Sequence, residues 1–154
     1  MATMYLSLGT NLGDRRRNLS CALELIADEV GTIMSTSDII ETEPWGFESR
    51  NAFLNMVTKV ETDLQPLQAL HATQQIERRL GRNEKTADRD YHDRLIDIDI
   101  LLYDNLVMNT PELTIPHKLM HRRRFVLEPL AEIAPDVEHP VLHKSVEQLL
   151  SELD

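Results

Sequence analysis

The chain has one cysteine, Cys21, one tryptophan, five glycines and three phenylalanines in 154 residues, and aromatic side chains account for only 5%. A single cysteine excludes an intrachain disulfide framework. No apolar run approaches the ~18 residues that nominate a membrane-spanning helix. The start, MATMYLSLGTNLG, lacks the basic region, apolar stretch and small-residue cleavage site of a secretory signal. These absences set the expectation of a cytoplasmic protein that neither enters nor binds a membrane. Positive charge is also in short supply, with 16 Lys and Arg against 26 Asp and Glu and a net charge of −10. Nonspecific nucleic-acid binding draws its affinity from a basic surface, so that class is disfavoured. A sequence-reading RNA module needs a K/R-G-F/Y-G/A-F strand with stacking aromatics, and none is present.

The length fits a single domain over 1–154 with one core, able to bury roughly two thirds of the surface its unfolded chain exposes. What fills it is patterned. MYLSLG alternates, with Met4, Leu6 and Leu8 on one side and Tyr5 and Ser7 on the other, which predicts a strand stopping at Gly9 and Gly13. From Asp14, a suitable N-cap, Leu19, Ala22, Leu23, Ile26 and Val30 recur at helical spacing, with Gly31 as the stop. TIMSTSDIIET reads as a second strand and AFLNMVTKVET as a third with a mixed outer face. A second helix starts at Pro66 and carries Leu67, Leu70, Ile76 and Leu80 inward. Residues 82–94 have no apolar period and read as a mobile loop. DRLIDIDILLY is a fourth strand, NLVMN a short partner for it, and 124–133 and 144–152 are helical. The order β-α-β-β-α-β, with extra C-terminal helices, predicts a ferredoxin-like α+β sandwich on a mainly antiparallel sheet.

Within the fourth strand, Ile96, Ile98, Ile100 and Leu102 share an apolar face that should be core. Asp97 and Asp99 share the other, ~6.5 to 7 Å apart along the strand. Two converging carboxylates next to a run of apolar residues need a cation. Oxygen-only ligation with few protein donors suits Mg²⁺, which takes its remaining ligands from water and substrate phosphates. An exposed sheet face that happens to carry two acids is the plain alternative. The surroundings favour the metal: arginines at 78, 79, 82, 89 and 94 precede the pair, and Arg122, Arg123 and Arg124 follow it. Metal plus arginine is the recurrent equipment of phosphoryl transfer. His117 and His121 have zinc-pair spacing without the accompanying Glu, so a phosphate contact by His117 fits better than zinc. On the third strand Phe53 and Asn55 set an aromatic plane beside an amide that can both donate and accept, which suits a flat heterocycle. Phe53 as ordinary core is the competing reading.

The segments YLSLGTNLGDR, ETEPWG, FLN, IERRLGR, RLIDIDILLY, TIPH and RRRFVLEPLAEIAP occur in the order in which they stand in a known family. The chain resembles the 6-hydroxymethyl-7,8-dihydropterin pyrophosphokinases of folate biosynthesis. That resemblance implies transfer of pyrophosphate from ATP to a pterin hydroxymethyl group, with two Mg²⁺ ions on Asp97 and Asp99. It implies a pterin pocket in which Asn55 reads the ring edge, Phe53 and Phe125 sandwich the ring, and backbone groups at Thr42 and near Trp45 line the walls. It also implies a nucleotide site involving Gln74, Glu77, Arg82, Arg94, His117 and Arg123, with Arg82 and Arg94 taking part in catalysis. The expected partners are ATP and the reduced pterin, and the expected state is a monomer. Where the family commonly has Trp-Gly-Pro-Arg, this chain reads Tyr91-His92-Asp93-Arg94, and Glu84 replaces a frequent basic residue. The alternatives are another two-metal nucleotidyl or phosphoryl transferase on the same fold, or a non-catalytic ferredoxin-like ligand-binding module.

Overall fold

A computed structural model describes residues 1–42, 52–81 and 95–153. β1 (Ala2–Thr10) leads into α1 (Arg15–Glu29), then β2 (Thr32–Thr36), β3 (Ile40–Thr42), β4 (Phe53–Thr62) and α2 (Pro66–Gly81). β5 (Asp97–Tyr103), β6 (Met108–Asn109), β7 (Thr114–Ile115), a 3-10 turn at Met120–Arg122, α3 (Arg124–Ile133) and α4 (Val146–Ser151) complete the order. The main sheet runs β2-β4-β1-β5 with β3 also on β4, all pairs antiparallel. Leaving out β3, this is the strand order of the ferredoxin-like sandwich predicted from the element sequence.

Local signals place the first elements. Asp14 caps α1, its carboxylate accepting from Arg17 N at 3.1 Å, and Leu19, Ala22 and Ile26 form the buried stripe. Gly31 follows α1 for reasons of space: a Cβ there would lie 2.1 Å from the Glu61 carbonyl oxygen. α2 buries Ala69, Thr73 and Ile76, with Leu67, Leu70 and Leu80 half-buried beside them.

Several expectations need correction. The single predicted core is two clusters, one on each face of the sheet. Met4, Leu6, Leu8, Ile26, Val60, Ile76, Ile98 and Ile100 belong to the first; Tyr5, Val57, Leu101, Leu102, Leu127 and Leu130 belong to the second. Leu102 therefore leaves the face of Ile96, Ile98 and Ile100. The cause is a bulge: Leu6 pairs with Ile100 but Tyr5 with Leu102, so Leu101 is an extra residue and the alternation reverses. The predicted second strand breaks into β2 and β3 at Ser37, whose hydroxyl accepts from Val57 N at 2.9 Å while Asp38 N donates to Glu132 of α3. The outer face of β4 is also less mixed than its sequence, because α3 covers it and Asn55 and Val57 are buried. Finally, β6 pairs with β7 and not with β5. The loop predicted over 82–94 lies outside the described residues.

Candidate functional site

Three adjacent strands turn their polar residues to the face that carries the second cluster. In register, Asn55 of β4 stands opposite Gly9 of β1, and Gly9 opposite Asp97 of β5. Two residues along, Val57, Ser7 and Asp99 form a parallel row. With neighbouring strands ~4.8 Å apart, Asn55 and Asp97 stand on the order of 10 Å from each other.

Asn55 is buried and donates through Nδ2 to the Thr42 hydroxyl at 2.7 Å. Thr42 and Phe53 are cross-strand partners at the end of β3. Gly9 makes this corner possible. A Cβ there would come within 3.1 Å of Asn55 Oδ1 and 3.6 Å of the Phe53 ring, so the strand needs a residue without a side chain where the amide and ring approach. Phe125, at the start of α3, packs against the second cluster, with the Arg123 guanidinium 5.5 Å from its ring centre. The structure thus joins Thr42 to Asn55 through its side chain, beyond the backbone role the resemblance implies.

Asp97 and Asp99 are half-buried on the same face. Glu77 reaches them from α2. Its carboxyl accepts from Ile98 N at 2.7 Å, an amide on the outer edge of β5 where the main sheet has no further strand. Burial, then the charge of Asp97, drives the Glu77 pKa up to about 8, with Asp99 adding to the rise. Three carboxyls close together, one holding its proton, form a strongly anionic pocket in which an added divalent cation would be electrostatically favoured. Among the described residues no three His, Cys, Asp or Glu side chains are arranged to hold a metal by themselves. Two half-buried carboxylates as oxygen donors fit an ion that takes the rest of its shell from elsewhere, as Mg²⁺ does from phosphates and water.

His117 stands beside this pair, Nε2 3.9 Å from Asp99 Oδ2. Its Nδ1 accepts from Leu119 N at 3.2 Å, which assigns the neutral ring's proton to Nε2, facing the acids. Burial, then the nearby Arg123 charge, lowers its pKa to about 4, so the ring is neutral near pH 7. His121 has a different neighbour, its ring standing edge-on to His139 with centres 6.2 Å apart.

Among the described residues the arginines have different surroundings. Arg79 pairs with Glu29 of α1, Arg78, Arg122 and Arg124 are exposed, and Arg123 is half-buried near His117. Gln74 lies half-buried on α2, one turn before Glu77. Trp45, Arg82, Arg89 and Arg94 lie outside the described residues.

A ferredoxin-like sandwich with an acid pair and a neighbouring amide-and-aromatic corner on one sheet face defines an α+β ligand-binding protein equipped for charged substrates. Comparison with known proteins makes this specific. The family described as 7,8-dihydro-6-hydroxymethylpterin-pyrophosphokinase (HPPK) matches residues 5–135, and the chain belongs to that family. A relative from Porphyromonas gingivalis, named 2-amino-4-hydroxy-6-hydroxymethyldihydropteridine pyrophosphokinase, is 52% identical over 136 residues, 88% of this chain and 92% of its own. One of the same name from Aquifex aeolicus is 40% identical over 152 residues, 99% of this chain and 92% of its own. The fold matches a solved Plasmodium falciparum HPPK-DHPS with pterin and p-hydroxybenzoate, with a TM-score of 0.79 at 20% identity. That match covers 98% of this chain and 43% of the larger one. The chain's reaction is transfer of pyrophosphate from ATP to 6-hydroxymethyl-7,8-dihydropterin in folate biosynthesis, with ATP as co-substrate.

Proposed function

We propose that the pterin ring lies between Phe53 and Phe125 with its amide edge on Asn55, and that its hydroxymethyl arm points along the Asn55–Gly9–Asp97 row toward the acid pair. The observation that carries this reading is the shared register of those three residues. It sets the ring-reading amide and the first aspartate roughly two strand spacings, or ~10 Å, apart, about the reach of a bicyclic ring with a one-carbon arm. Thr42, and Trp45 outside the described residues, complete the walls.

Asp97 and Asp99 would hold two Mg²⁺ ions, which when bound would supply positive charge to the triphosphate and lower the pKa of the attacking hydroxyl. The protein aligns the reactants: the hydroxymethyl oxygen bonds to the β-phosphorus as the bond to the bridging oxygen of AMP breaks, so AMP leaves and two phosphates move. His117, neutral and bearing its proton on Nε2, donates to a phosphate oxygen without adding charge. Arg123, with Arg82 and Arg94, supplies fixed positive charge to the triphosphate and its transition state. Gln74 and Glu77 face the nucleotide from α2, and Glu77 also holds the edge amide between the two aspartates. A monomer suffices for this arrangement.

Titrating the pterin and a non-hydrolysable ATP analogue separately against Asn55→Ala and Asp97→Asn tests the assignment. Asn55→Ala should weaken only the pterin, and Asp97→Asn should weaken Mg²⁺-dependent nucleotide binding while sparing the pterin. The reverse pattern, or equal losses in both variants, contradicts it.

A further inference from the structure

The segment from Gly9 to Arg15 carries much of the family resemblance, yet the reaction described above uses only Gly9. The rest builds a mount for one side chain. Gly13 turns the chain with φ +66°, Asp14 caps α1, and Asn18 Nδ2 ties the helix start to the end of β1 by donating to the Thr10 hydroxyl at 3.1 Å and the Leu12 carbonyl at 2.8 Å. Arg15, the first residue of α1, is thereby fixed behind the sheet. Its Nη1 donates to Glu41 Oε2 at 2.9 Å and to the Ala52 carbonyl at 2.8 Å.

Those two acceptors precede the two residues of one cross-strand pair. Glu41 comes immediately before Thr42, Ala52 immediately before Phe53, and Thr42 is opposite Phe53. β3 is three residues long and pairs with β4 alone, so its own ladder holds it weakly. The other end of this segment is tied by Asp38 N to Glu132 of α3. At the Thr42 end, Arg15 bridges the two strands from the other face, donating to Glu41 of β3 and to Ala52 just before β4. Thr42 in turn receives the Asn55 amide, on the face opposite Arg15.

We propose that Arg15 is a positioning residue for the pterin: by holding Glu41 and the Ala52 carbonyl from behind, it keeps Thr42 and Phe53 where Asn55 and the ring require them. This rests on the assignment of Thr42, Phe53 and Asn55 to the pterin pocket. The Arg15 and Glu41 side chains are 34% and 58% exposed, and an ion pair so open to solvent contributes little to global stability. Its loss should therefore appear in ligand affinity, by lowering the fraction of molecules whose pocket is competent.

The test measures pterin and ATP-analogue affinities, steady-state KM and kcat, and melting for Arg15→Ala, Arg15→Lys, Glu41→Ala and Asn55→Ala. Arg15→Ala should raise the pterin Kd and KM roughly tenfold while ATP affinity stays within about twofold of the parent. Arg15→Lys should recover part of the loss, because one ammonium reaches one acceptor more readily than two. Glu41→Ala should show a smaller loss in the same direction, of about threefold, and its effect should not add to that of Arg15→Ala. If Arg15→Ala does not fold, the pterin-selective loss in Glu41→Ala decides. A normal pterin Kd in the folded Arg15 variant, with a raised one in Asn55→Ala, overturns the role of Arg15 alone. Equal losses for both ligands make Arg15 a general scaffold residue and overturn it too. A normal pterin Kd in Asn55→Ala shows that the pocket assignment itself is wrong, and the proposal falls with it.

Discussion

The Glu77 carboxyl accepts the amide proton of Ile98 at 2.7 Å, and Ile98 is the residue between the two aspartates. A helix side chain thus occupies the open edge of β5 at the point where that strand carries its acid pair. The same contact satisfies an edge amide and brings a third carboxyl to a site already holding two.

Replacement of Glu77 separates these two effects. In the folded protein its pKa is raised from 4.5 to about 8, so between those values the folded chain keeps a proton that the unfolded chain has lost. The unfolded state then binds fewer protons, and this group's contribution to stability falls as pH rises through that window. Glu77→Gln keeps an acceptor for Ile98 and removes the ionisation, so the metal-free variant should melt no earlier than the parent at pH 8. Glu77→Ala should cost about 1–3 kcal/mol, from the buried amide it leaves unsatisfied. Thermal melts in chelator show this directly, and a Gln variant as unstable as the Ala variant contradicts it.

The pocket corner gives a second prediction. Gly9→Ala places a Cβ 3.1 Å from Asn55 Oδ1, a contact that Asn55 can relieve only by shifting from Thr42. Pterin affinity should fall, though by less than the loss of about 1–3 kcal/mol expected for Asn55→Ala, with ATP-analogue affinity unchanged. Fluorescence titration of the pterin reads both variants. Unchanged pterin affinity in Gly9→Ala means the amide is not held at that corner.

How much of this is legible in the sequence depends on the range of the interaction. β1 and α1 are, because alternation, the Asp14 cap and the Leu19, Ala22, Ile26 stripe are local patterns. The acid pair is too, since Asp97 and Asp99 share a face in any strand. The reversal at Leu102 is not, because it comes from a bulge set by pairing with Tyr5 and Leu6. Nor is the split between β2 and β3, where Val57 and Glu132 capture Ser37 and Asp38 from 20 and 94 residues away. Glu77 is singled out in the sequence only by the family resemblance, as a nucleotide-site residue, and its reach to Ile98 depends on α2 crossing the edge of β5. Adjacency in sequence also does not show that, among the described residues, Arg79 turns to Glu29 while Arg123 lies beside His117.

The other buried histidine offers a pH prediction away from the site. His139 accepts through Nδ1 from Val141 N at 3.2 Å and Leu142 N at 3.1 Å, so its neutral form is the one the fold holds. Burial, then the His121 and His143 charges, lowers its pKa. Below pH ~6.5 the unfolded chain takes up a proton that the folded one resists, so stability falls with acidification through that region and is fully present above it. His139→Asn retains an acceptor for the turn without the titration. Its stability should decline less steeply than the parent's as pH falls below ~6.5. Parallel denaturation curves at each pH would exclude this role for His139.

In the proposed division of labour across three strands, Asn55 binds the pterin and Asp97 serves the transfer. Single-turnover product analysis of Asp97→Asn, alongside its equilibrium affinity for the pterin, addresses that division most directly. With ATP, Mg²⁺ and hydroxymethyldihydropterin, the parent should release AMP and form pterin pyrophosphate in equal amounts. Asp97→Asn should bind the pterin with parental affinity yet form both products several orders of magnitude more slowly, since it lacks a ligand needed to align the phosphates. Near-parental AMP release by Asp97→Asn, or loss of pterin binding together with turnover, would contradict the account.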